Sequence, residues 1–384
     1  MRILSILPFS PPSPSFGGAE RQMHSLHKGL VTKGVDIHVL ADISAVGKPY
    51  QDFEGIPVWG VPFPVLTSSP WRPGNLKFWM AWRTIRKIVH THIPRPDLIQ
   101  VTTFRQPAMV GHWLARLLNV PWTVRLACSG SYGDLRFAGS NWLSRRVLPK
   151  MARSVSGVVA LDSVTRQEAI DHGVLAERIE IIPNALVLQR TPRSSIERRS
   201  IVFIGRLAQQ KKIDSLLIAY SQLRERSNEV PPLLIAGAGA ESTMLEELAG
   251  RLKIAGECEF LGAIPGPEDV LDRACCFINP SGGEGLPNAV LEALAFGVPV
   301  ILSDIPVHRQ LAMAVGMEDY LFPVGDSQVL ATKLQNFLSL GDSEKQILRH
   351  RCTEYAQQFT RSARDDAYLT LYQRILEERG GQCC

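Results

Sequence analysis

The stretch Ser281-Gly-Gly-Glu-Gly-Leu-Pro-Asn-Ala-Val-Leu-Glu-Ala-Leu-Ala-Phe-Gly-Val-Pro-Val300 decides how this chain is interpreted. Two carboxylates, Glu284 and Glu292, stand eight positions apart, in a loop rich in glycine and in a helix that we predict to end at Gly297. The start of a helix presents backbone N–H groups and the positive end of its dipole, so it attracts anionic ligands. Carboxylates beside it accept hydrogen bonds from sugar or ribose hydroxyls. The alternative is an ordinary capped helix with two solvated glutamates.

Short apolar strands alternate with helical periods along both halves of the chain. Such strands are typical of parallel sheets that helices cover on both faces. The polar, proline-bearing segment Leu188–Ser200 is the predicted linker between two doubly wound Rossmann-like domains, 1–188 and 189–360. A helix at about 361–380 is expected to pack back on the first domain. The predicted strands are Ile3–Leu7, Ile37–Leu40, Leu98–Thr102, Trp122–Leu126, Val158–Leu161, Ile179–Ile182, Ile201–Ile204, Leu233–Ala236, Glu259–Leu261, Cys276–Asn279, Val298–Leu302 and Tyr320–Phe322.

The composition indicates a two-domain protein of a reducing compartment. The chain has 384 residues, of which 45% are hydrophobic, enough for two cores. Its seven cysteines include no C-x-x-C pair, and the adjacent pairs Cys275-Cys276 and Cys383-Cys384 suit a disulfide framework poorly. No eighteen uncharged apolar residues run together, and the apolar start is too short for a signal peptide core. We therefore expect a cytoplasmic protein without a transmembrane helix.

Positive charge is concentrated in the first half of the chain. Residues 1–190 hold 22 Lys and Arg against 12 Asp and Glu, a net charge of +10, whereas residues 191–384 hold 20 against 25, a net charge of −5. A basic half suits an anionic partner or membrane surface, with ordinary charge scatter as the alternative. The stretch 71–87 interleaves tryptophans with cations, so it either rests on a membrane interface or places its tryptophans in the core. No nucleic-acid motif accompanies the charge.

One glycine-bearing turn and one cationic turn follow predicted strands. Gly17 and Gly18 precede a helix that Glu20 opens, and paired glycines let a backbone approach a ligand closely. Arg206 and Lys211 follow the strand Ile201–Ile204, where two cations suit a diphosphate and its leaving charge. Solvated surface cations are the alternative.

Other patterns are weaker or missing. Gly237-Ala-Gly239 lacks the full G-x-G-x-x-G fingerprint, so tight packing between strand and helix is the favoured interpretation. The strand end around Gly262 is suited to presenting backbone groups to a base edge. The chain contains no Asp-x-Asp, no zinc spacing and no G-x-S-x-G elbow. His24 and His27 are interpreted as residues of a helix face or core.

In this order, the motifs resemble those of the family-four retaining glycosyltransferases, also called group 1 glycosyltransferases, over nearly the whole chain. The most specific part is the E-x7-E segment from Glu284 to Glu292. The pair Arg206 and Lys211 and the glycine loop before Glu20 match further family elements, as does Ile182-Pro183-Asn184 at the end of the first domain. The resemblance implies a GT-B fold, in which two doubly wound Rossmann-like domains face each other across a cleft.

The resemblance also implies retaining transfer of a sugar from a nucleotide-sugar, most simply a UDP- or GDP-sugar, without a metal or another cofactor. The acceptor would be a polysaccharide or a lipid-linked glycan, at the cytoplasmic face of a membrane that the enzyme contacts peripherally. Glu284, Arg206 and Lys211 would act catalytically, with Glu284 on the transferred sugar and the two cations on the diphosphate. Glu292 would hold the ribose hydroxyls. The further donor-binding residues would be Gly17, Gly18, Gly262, Gly285, Leu286, Pro287 and Asn288.

The chain departs from the family pattern where many relatives carry a His-Asp pair after the fifth strand. The region from Val124 to Asp134 has no histidine, which leaves Ser129, Gly130 and the loop 131–134 as candidate replacements. The family's later glutamate appears as Gln310, and its Asn-Gly-Val-Asp sequence as Asn184-Ala-Leu-Val. Two other functions therefore stay open: a sugar-nucleotide binding or scaffold protein, and a GT-B-like epimerase of sugar nucleotides.

Overall fold

The computed structural model describes residues 1–8, 18–63, 76–104, 106–130, 133–135, 142–193, 196–227 and 229–381. The chain forms two compact units, each built around its own sheet. Unit 1 comprises Met1–Ala185 and the C-terminal segment that begins at Arg361, and unit 2 comprises Leu186–Thr360.

Unit 1 contains an eight-stranded sheet in the order β3-β4-β2-β1-β5-β6-β7-β8, in which only β3 and β4 pair antiparallel. The parallel strands are apolar and buried almost throughout, as expected for a sheet covered on both faces. Its strands are β1 (Arg2–Leu7), β2 (Asp36–Asp42), β3 (Tyr50–Phe53), β4 (Ile56–Val61), β5 (Leu98–Thr102), β6 (Trp122–Arg125), β7 (Gly157–Ala160) and β8 (Ile179–Ile181). Its helices are α1 (Gly18–Thr32), α2 (Ile43–Val46), α3 (Leu76–His92), α4 (Gln106–Leu118), α5 (Trp142–Ser154) and α6 (Ser163–Asp171), joined by α14 (Arg361–Gly381).

The hairpin of β3 and β4 was not predicted from the sequence. Its turn is formed by Glu54 and Gly55, both of which have positive φ, at 53° and 82°. Two consecutive positive φ angles are typical of the tight turns that match the twist of a hairpin. Strand β3 is half exposed and has little apolar content, so it lacks the pattern that revealed the buried strands.

The helix α14 packs against unit 1 through apolar and ionic contacts. Tyr368, Leu371, Tyr372 and Ile375 join the core that lies between α1 and the sheet. Gly29 of α1 permits the close approach, since a Cβ atom there would lie 1.8 Å from an Asp365 carboxylate oxygen. One face of α14 thus holds the C-terminal segment against the rest of unit 1.

Unit 2 contains a six-stranded, fully parallel sheet in the order β11-β10-β9-β12-β13-β14. The predicted doubly wound, parallel α/β sheets are confirmed in both units. The strands are β9 (Ser200–Ile204), β10 (Leu233–Ala236), β11 (Cys258–Gly262), β12 (Ala274–Asn279), β13 (Val300–Ser303) and β14 (Leu321–Phe322). The helices are α7 (Ile213–Arg226), α8 (Ser242–Arg251), α9 (Glu268–Asp272), α10 (Asn288–Ala295), α11 (Pro306–Ala314), α12 (Ser327–Leu338) and α13 (Asp342–Ala356).

The structure shows where the residues that the sequence singled out lie. Helix α10 ends at Ala295, two residues before the predicted end at Gly297, which adopts the left-handed conformation at φ 62°. His27 is buried within unit 1, whereas His24 lies 3.1 Å from the Glu54 carboxylate. Of the tryptophans in the stretch 71–87, Trp79 is exposed and Trp82 packs edge-on against Trp113, and Trp71 lies outside the described residues. Within the described ranges, no helix is long and apolar enough to cross a membrane.

Candidate functional site

The strand order of unit 2 creates a crevice at one edge of its sheet. From β9 the chain proceeds through β10 to β11 on one side, and from β12 through β13 to β14 on the other. The loops that follow β9 and β12 therefore diverge at the carboxyl ends of two neighbouring strands. Open α/β sheets bind ligands at such switch points. Arg206 and Lys211 follow β9, and Glu284 follows β12, so the fold brings the three predicted residues to this edge.

The loop after β9 is held by close backbone packing. Gly205 N–H donates to the Ala236 carbonyl at 2.9 Å, and Leu207 N–H donates to the Ala238 carbonyl at 3.0 Å. A Cβ atom on Gly239 would lie 2.0 Å from the Leu207 carbonyl oxygen, and one on Gly237 would lie 1.8 Å from that of Gly205. The two glycines after β10 therefore let one loop backbone lie directly on the other. This contact supports the strand end that presents Arg206.

A short 3-10 turn, Gln209–Lys211, connects this loop with the loop after β12. Gly282 N–H donates to the Gln210 carbonyl at 2.8 Å, and the Gln210 side chain donates back to the Gly283 carbonyl at 2.5 Å. Lys212 then adopts the left-handed conformation, with φ 51°, before α7 begins. A lysine rarely adopts that conformation, so the tertiary contacts hold a tight turn in place. The turn directs Lys211 toward the β12 loop.

The Lys211 ammonium group forms an ion pair with Oε1 of the Glu284 carboxylate. Ser281 Oγ lies 2.6 Å from the same oxygen, and Asn279 Nδ2 lies 3.4 Å from it. Glu284 is buried, with 9% of its surface exposed to solvent. Burial of a carboxylate is tolerated when a cation and hydrogen-bond donors surround it, as they do here.

The network continues beneath Glu284 into the sheet. Asn279 Nδ2 lies 3.3 Å from Nε2 of His308, and His308 Nδ1 lies 3.0 Å from the Ser303 carbonyl oxygen. Ser303 Oγ donates to the Ser281 carbonyl at 2.6 Å. The side chains at the ends of β12 and β13 are thus joined to the first turn of α11.

The charges of this network are set by burial and by Lys211. Burial raises the pKa of Glu284, but the Lys211 ammonium, His308 and the hydrogen bonds from Lys211 and Ser281 outweigh it and leave the pKa below its ordinary value. Burial lowers the pKa of His308 to about 4, although Glu284 and the Ser303 carbonyl oppose the change. At neutral pH the site therefore holds a charged Glu284, a neutral His308 and the partly buried cation Lys211.

The remaining sequence-predicted residues occupy differing surroundings. Arg206 is exposed at the end of β9, and Gly262 is exposed with φ 64° and accepts a hydrogen bond from Gly237 N–H at 2.7 Å. Glu292 is partly buried on the second turn of α10. Gly17 lies outside the described residues, and Gly18 is the exposed first residue of α1. The residues that line the start of α10 are Gly285, Leu286 and Pro287, which are buried, and Asn288, which is partly buried.

Four polar residues of the network were not singled out from the sequence: Gln210, Asn279, Ser303 and His308. A usable signal existed for Asn279 and Ser303, because each is the polar last residue of an otherwise apolar parallel strand. Their carboxyl ends meet at the edge where ligands bind. His308 gave no comparable signal, since a histidine on a short amphipathic helix is common.

The region of unit 1 that lacks the family histidine is held by two carboxylates. Asp134 is buried and accepts a hydrogen bond from Ala127 N–H at 2.7 Å. Glu168 accepts one from Gly130 N–H at 3.1 Å, and burial raises the pKa of Glu168 above its ordinary value. Ser129 is buried between these anchors. Residues 131 and 132 of the candidate loop lie outside the described residues.

Comparison with known families accounts for both units. Residues 17–185 match the glycosyl transferase 4-like domain, and residues 189–359 match the glycosyl transferases group 1 family. Together the two models cover most of residues 17–359, and the chain therefore belongs to the group 1 glycosyltransferases.

Individual relatives are similar over different lengths. A phosphatidyl-myo-inositol mannosyltransferase of Mycolicibacterium smegmatis is 28% identical over 352 residues, which cover 88% of this chain and 85% of that protein. An exopolysaccharide phosphotransferase of Streptomyces coelicolor is 30% identical over 189 residues, 49% of this chain but only 20% of that protein. An uncharacterized glycosyltransferase of Methanocaldococcus jannaschii is 32% identical over 142 residues, which cover 34% of this chain and only 35% of that protein.

Solved structures share the architecture at low sequence identity. The sucrose-phosphate synthase of Thermosynechococcus elongatus has a TM-score of 0.77 and 18% identity over 98% of this chain and 100% of that chain. Anabaena HepE in complex with UDP-glucose has a TM-score of 0.74 and 18% identity over 99% of this chain and 100% of that chain. The GT-B fold class predicted from the sequence is thereby confirmed.

Proposed function

We propose that the protein transfers a hexose from a UDP- or GDP-sugar to a polysaccharide or lipid-linked glycan, with retention of configuration and without a metal. The observation that carries the proposal is the ion pair of the partly buried Lys211 with the buried Glu284 at the switch point of the unit 2 sheet. It unites a phosphate-binding cation with a sugar-binding carboxylate at the edge where α/β sheets bind ligands.

The donor's diphosphate would lie on the loop after β9. An ammonium group has three N–H donors, so Lys211 can contact Glu284 and still donate to a phosphate oxygen. Arg206 is exposed at the strand end and offers the planar fork that suits two phosphate oxygens. The start of α10 adds its dipole, because Pro287 precedes it without a capping side chain. These groups together would offset the negative charge of the leaving diphosphate.

The nucleoside and the sugar would extend from the diphosphate in opposite directions. Glu292 is suited to accept hydrogen bonds from the ribose hydroxyls, and Gly262 offers its exposed backbone to the base. Complexes of HepE with UDP and with UDP-glucose support a uridine donor for a protein of this fold. Leu286 and Asn288, which lie beside the start of α10, would also contact the donor.

The reaction would need no strong protein base. As the bond between the anomeric carbon and the diphosphate oxygen breaks, the acceptor oxygen attacks the same face of the sugar and its proton passes to the leaving phosphate. Positive character develops on the sugar ring, and a charged Glu284 would stabilise it. The lowered pKa of Glu284 supports this role, since the carboxylate stays ionised at neutral pH.

The acceptor is proposed to be presented at the cytoplasmic face of a membrane. The relative of M. smegmatis is named for transfer to phosphatidyl-myo-inositol, and the first half of this chain carries a net charge of +10. Trp79 and Met80 of α3 are 58% and 60% exposed, and the same helix bears Arg83 and Lys87. Exposed aromatic and basic side chains together suit an anionic lipid surface.

Thermal unfolding with UDP, GDP, ADP and dTDP and their sugar conjugates, with and without EDTA, tests the donor site. A nucleotide at about 100 times its dissociation constant should add about 2.7 kcal/mol of stability. We expect a shift with one base that EDTA leaves unchanged and that Glu292→Ala removes. Transfer from that donor is then measured with membrane extract as acceptor. No transfer from any donor would contradict the enzymatic role, and an EDTA-sensitive shift would contradict metal independence.

A further inference from the structure

His308 lies beneath Glu284 and is fully buried at the first turn of α11. It is out of reach of a ligand on the loops, and no donor-binding motif of the sequence includes it. Its two ring nitrogens nevertheless contact residues at the ends of β12 and β13. Nδ1 lies 3.0 Å from the Ser303 carbonyl oxygen, and Nε2 lies 3.3 Å from Asn279 Nδ2.

These contacts fix the tautomer of His308. A carbonyl oxygen only accepts hydrogen bonds, so Nδ1 carries the proton and donates to Ser303. Nε2 then holds a lone pair and accepts from the Asn279 amide. Burial favours this neutral form, because it lowers the pKa of His308 to about 4.

The neutral ring in turn fixes the orientation of Asn279. Its Nδ2 must face His308, so its second N–H points toward Glu284 Oε1 at 3.4 Å. Its Oδ1 faces the opposite side, 2.7 Å from Ser281 Oγ and 3.4 Å from Ser281 N. With the amide reversed, Oδ1 would stand against the Glu284 carboxylate, and two acceptors would repel each other.

We propose that His308 is a positioning residue for the transfer reaction, which acts through the Asn279 amide to hold Glu284 in place. The inference rests on the proposed role of Glu284 at the transferred sugar. In this role His308 contacts neither the donor nor the acceptor. A purely structural histidine would influence stability, whereas a positioning histidine also changes turnover and its dependence on pH.

The test compares His308→Leu, His308→Gln and Asn279→Ala with the native protein and with Leu311→Ala. Leu311 is a buried residue of the same helix, so its variant disturbs α11 without altering the polar network. We expect His308→Leu to lower kcat about tenfold, because Asn279 is no longer held in its hydrogen bond to the charged Glu284. The dissociation constant of the nucleoside diphosphate should change by no more than about twofold. His308→Gln restores an acceptor for Asn279 and should recover much of kcat.

The acid limb of the pH profile supplies a second readout. Among the described residues, the charged and titratable groups that face Glu284 are Lys211 and His308. His308 itself helps to lower the pKa of Glu284, and in His308→Leu the Asn279 N–H is no longer held toward the carboxylate, so activity in this variant should fall at a higher pH than in the native protein. Leu311→Ala should lower the melting temperature without moving that limb.

A double variant tests the route of the effect. If His308 acts through Asn279, His308→Leu combined with Asn279→Ala lowers kcat no further than either change alone. Additive losses, or a His308→Leu enzyme with native kcat and acid limb, would overturn the proposal. A native protein with no transfer activity would instead sink the proposed function. If His308→Leu does not fold, the same comparison is made between His308→Gln and Asn279→Ala.

Discussion

Two ion pairs in this protein each contain a buried carboxylate, but they lie in different surroundings. In unit 1, Arg364 and Asp365 are neighbours on α14, with 4% and 7% of their side chains exposed, and they face α1. In unit 2, Lys211 and Glu284 are 73 residues apart and meet at the edge of a sheet, with 20% and 11% exposed. The first pair lies between packed helices, and the second lies in loops that solvent and ligands can reach.

The pKa values of the two carboxyl groups are shifted in opposite directions from their ordinary values. Burial raises the pKa of Asp365 above its ordinary value, because the attraction of Arg364 and of Lys33 does not compensate for it. For Glu284 the surrounding donors outweigh burial, and the pKa falls. A buried ion pair is therefore not in itself a sign of a functional site. Its place in the fold and the donors around it separate a helix contact from a ligand site.

The largest expected effect concerns removal of the two cations. Lys211→Met should lower turnover by about 10²–10³-fold, because a preorganised donor to the developing negative charge is lost. Arg364→Met leaves Asp365 buried without its partner and should lower the free energy of unfolding by about 3 kcal/mol, while turnover per folded molecule stays native. Steady-state transfer assays and calorimetry measure both. Equal losses of turnover in the two variants would erase the distinction.

A glycine beside each pair offers a smaller and more local test. Gly239→Ala places a Cβ atom 2.0 Å from the Leu207 carbonyl oxygen, so the loop that carries Arg206 must shift and UDP or GDP affinity should fall about tenfold. Gly29→Ala places one 1.8 Å from Asp365 and should lower the free energy of unfolding by about 1–3 kcal/mol without changing that affinity.

Gly250→Ala is the matched control for these two variants. Gly250 is an exposed helical glycine of α8, and its added Cβ atom meets nothing within 4 Å. Alanine there should stabilise the protein by about 0.5–1 kcal/mol and leave nucleotide affinity native. A tenfold loss of affinity in Gly29→Ala, measured by titration calorimetry, would contradict the separation of the two pairs.

The smallest expected effect is in the pH dependence of stability, and it has opposite signs for the two carboxyl groups. The folded pKa of Glu284 is lowered, so its stabilisation is present above the ordinary value of 4.5 and is lost as the pH falls through the folded value. The folded pKa of Asp365 is raised, so its contribution is present below 3.8 and is lost as the pH rises through the folded value.

The melting temperatures of Glu284→Gln and Asp365→Asn between pH 3.5 and 7 measure these signs. The deficit of Glu284→Gln relative to the native protein should shrink as the pH falls. The melting temperature of Asp365→Asn relative to the native protein should rise as the pH rises. Parallel pH dependences of the two variants would show that the carboxyl groups are not held in different environments.

Most of the fold could be predicted because its strands are continuous apolar runs. Strands β5 and β10 match the predicted ranges from end to end, and the strands of unit 2 differ from prediction by one or two residues. The β3 and β4 hairpin could not be predicted in the same way, since its edge strand is half exposed. Its stability comes from pairing with β4 and not from an apolar pattern.

For the candidate site, the residue types could be predicted but their contacts could not. Glu284, Arg206 and Lys211 were recognised from local motifs, whose roles remain proposals. That Lys211 would contact Glu284 could not be predicted, because no local pattern reports which loops a sheet brings together. His308 was missed for the same reason, since it contacts Asn279, 29 residues away, whereas the polar end of a predicted strand could have pointed to Asn279.

The sequence by itself determined the doubly wound α/β class, the order of the strands apart from the β3–β4 hairpin, and the family of this protein. These depend on the periodicity of apolar residues and on short motifs, which act between near neighbours in the chain. Only the tertiary structure decided that β9 and β12 lie side by side, that Lys211 meets Glu284 and that His308 lies beneath them. The physical reason is that burial, ionisation and hydrogen-bond geometry depend on groups far apart in sequence, which are neighbours only after the sheet has formed.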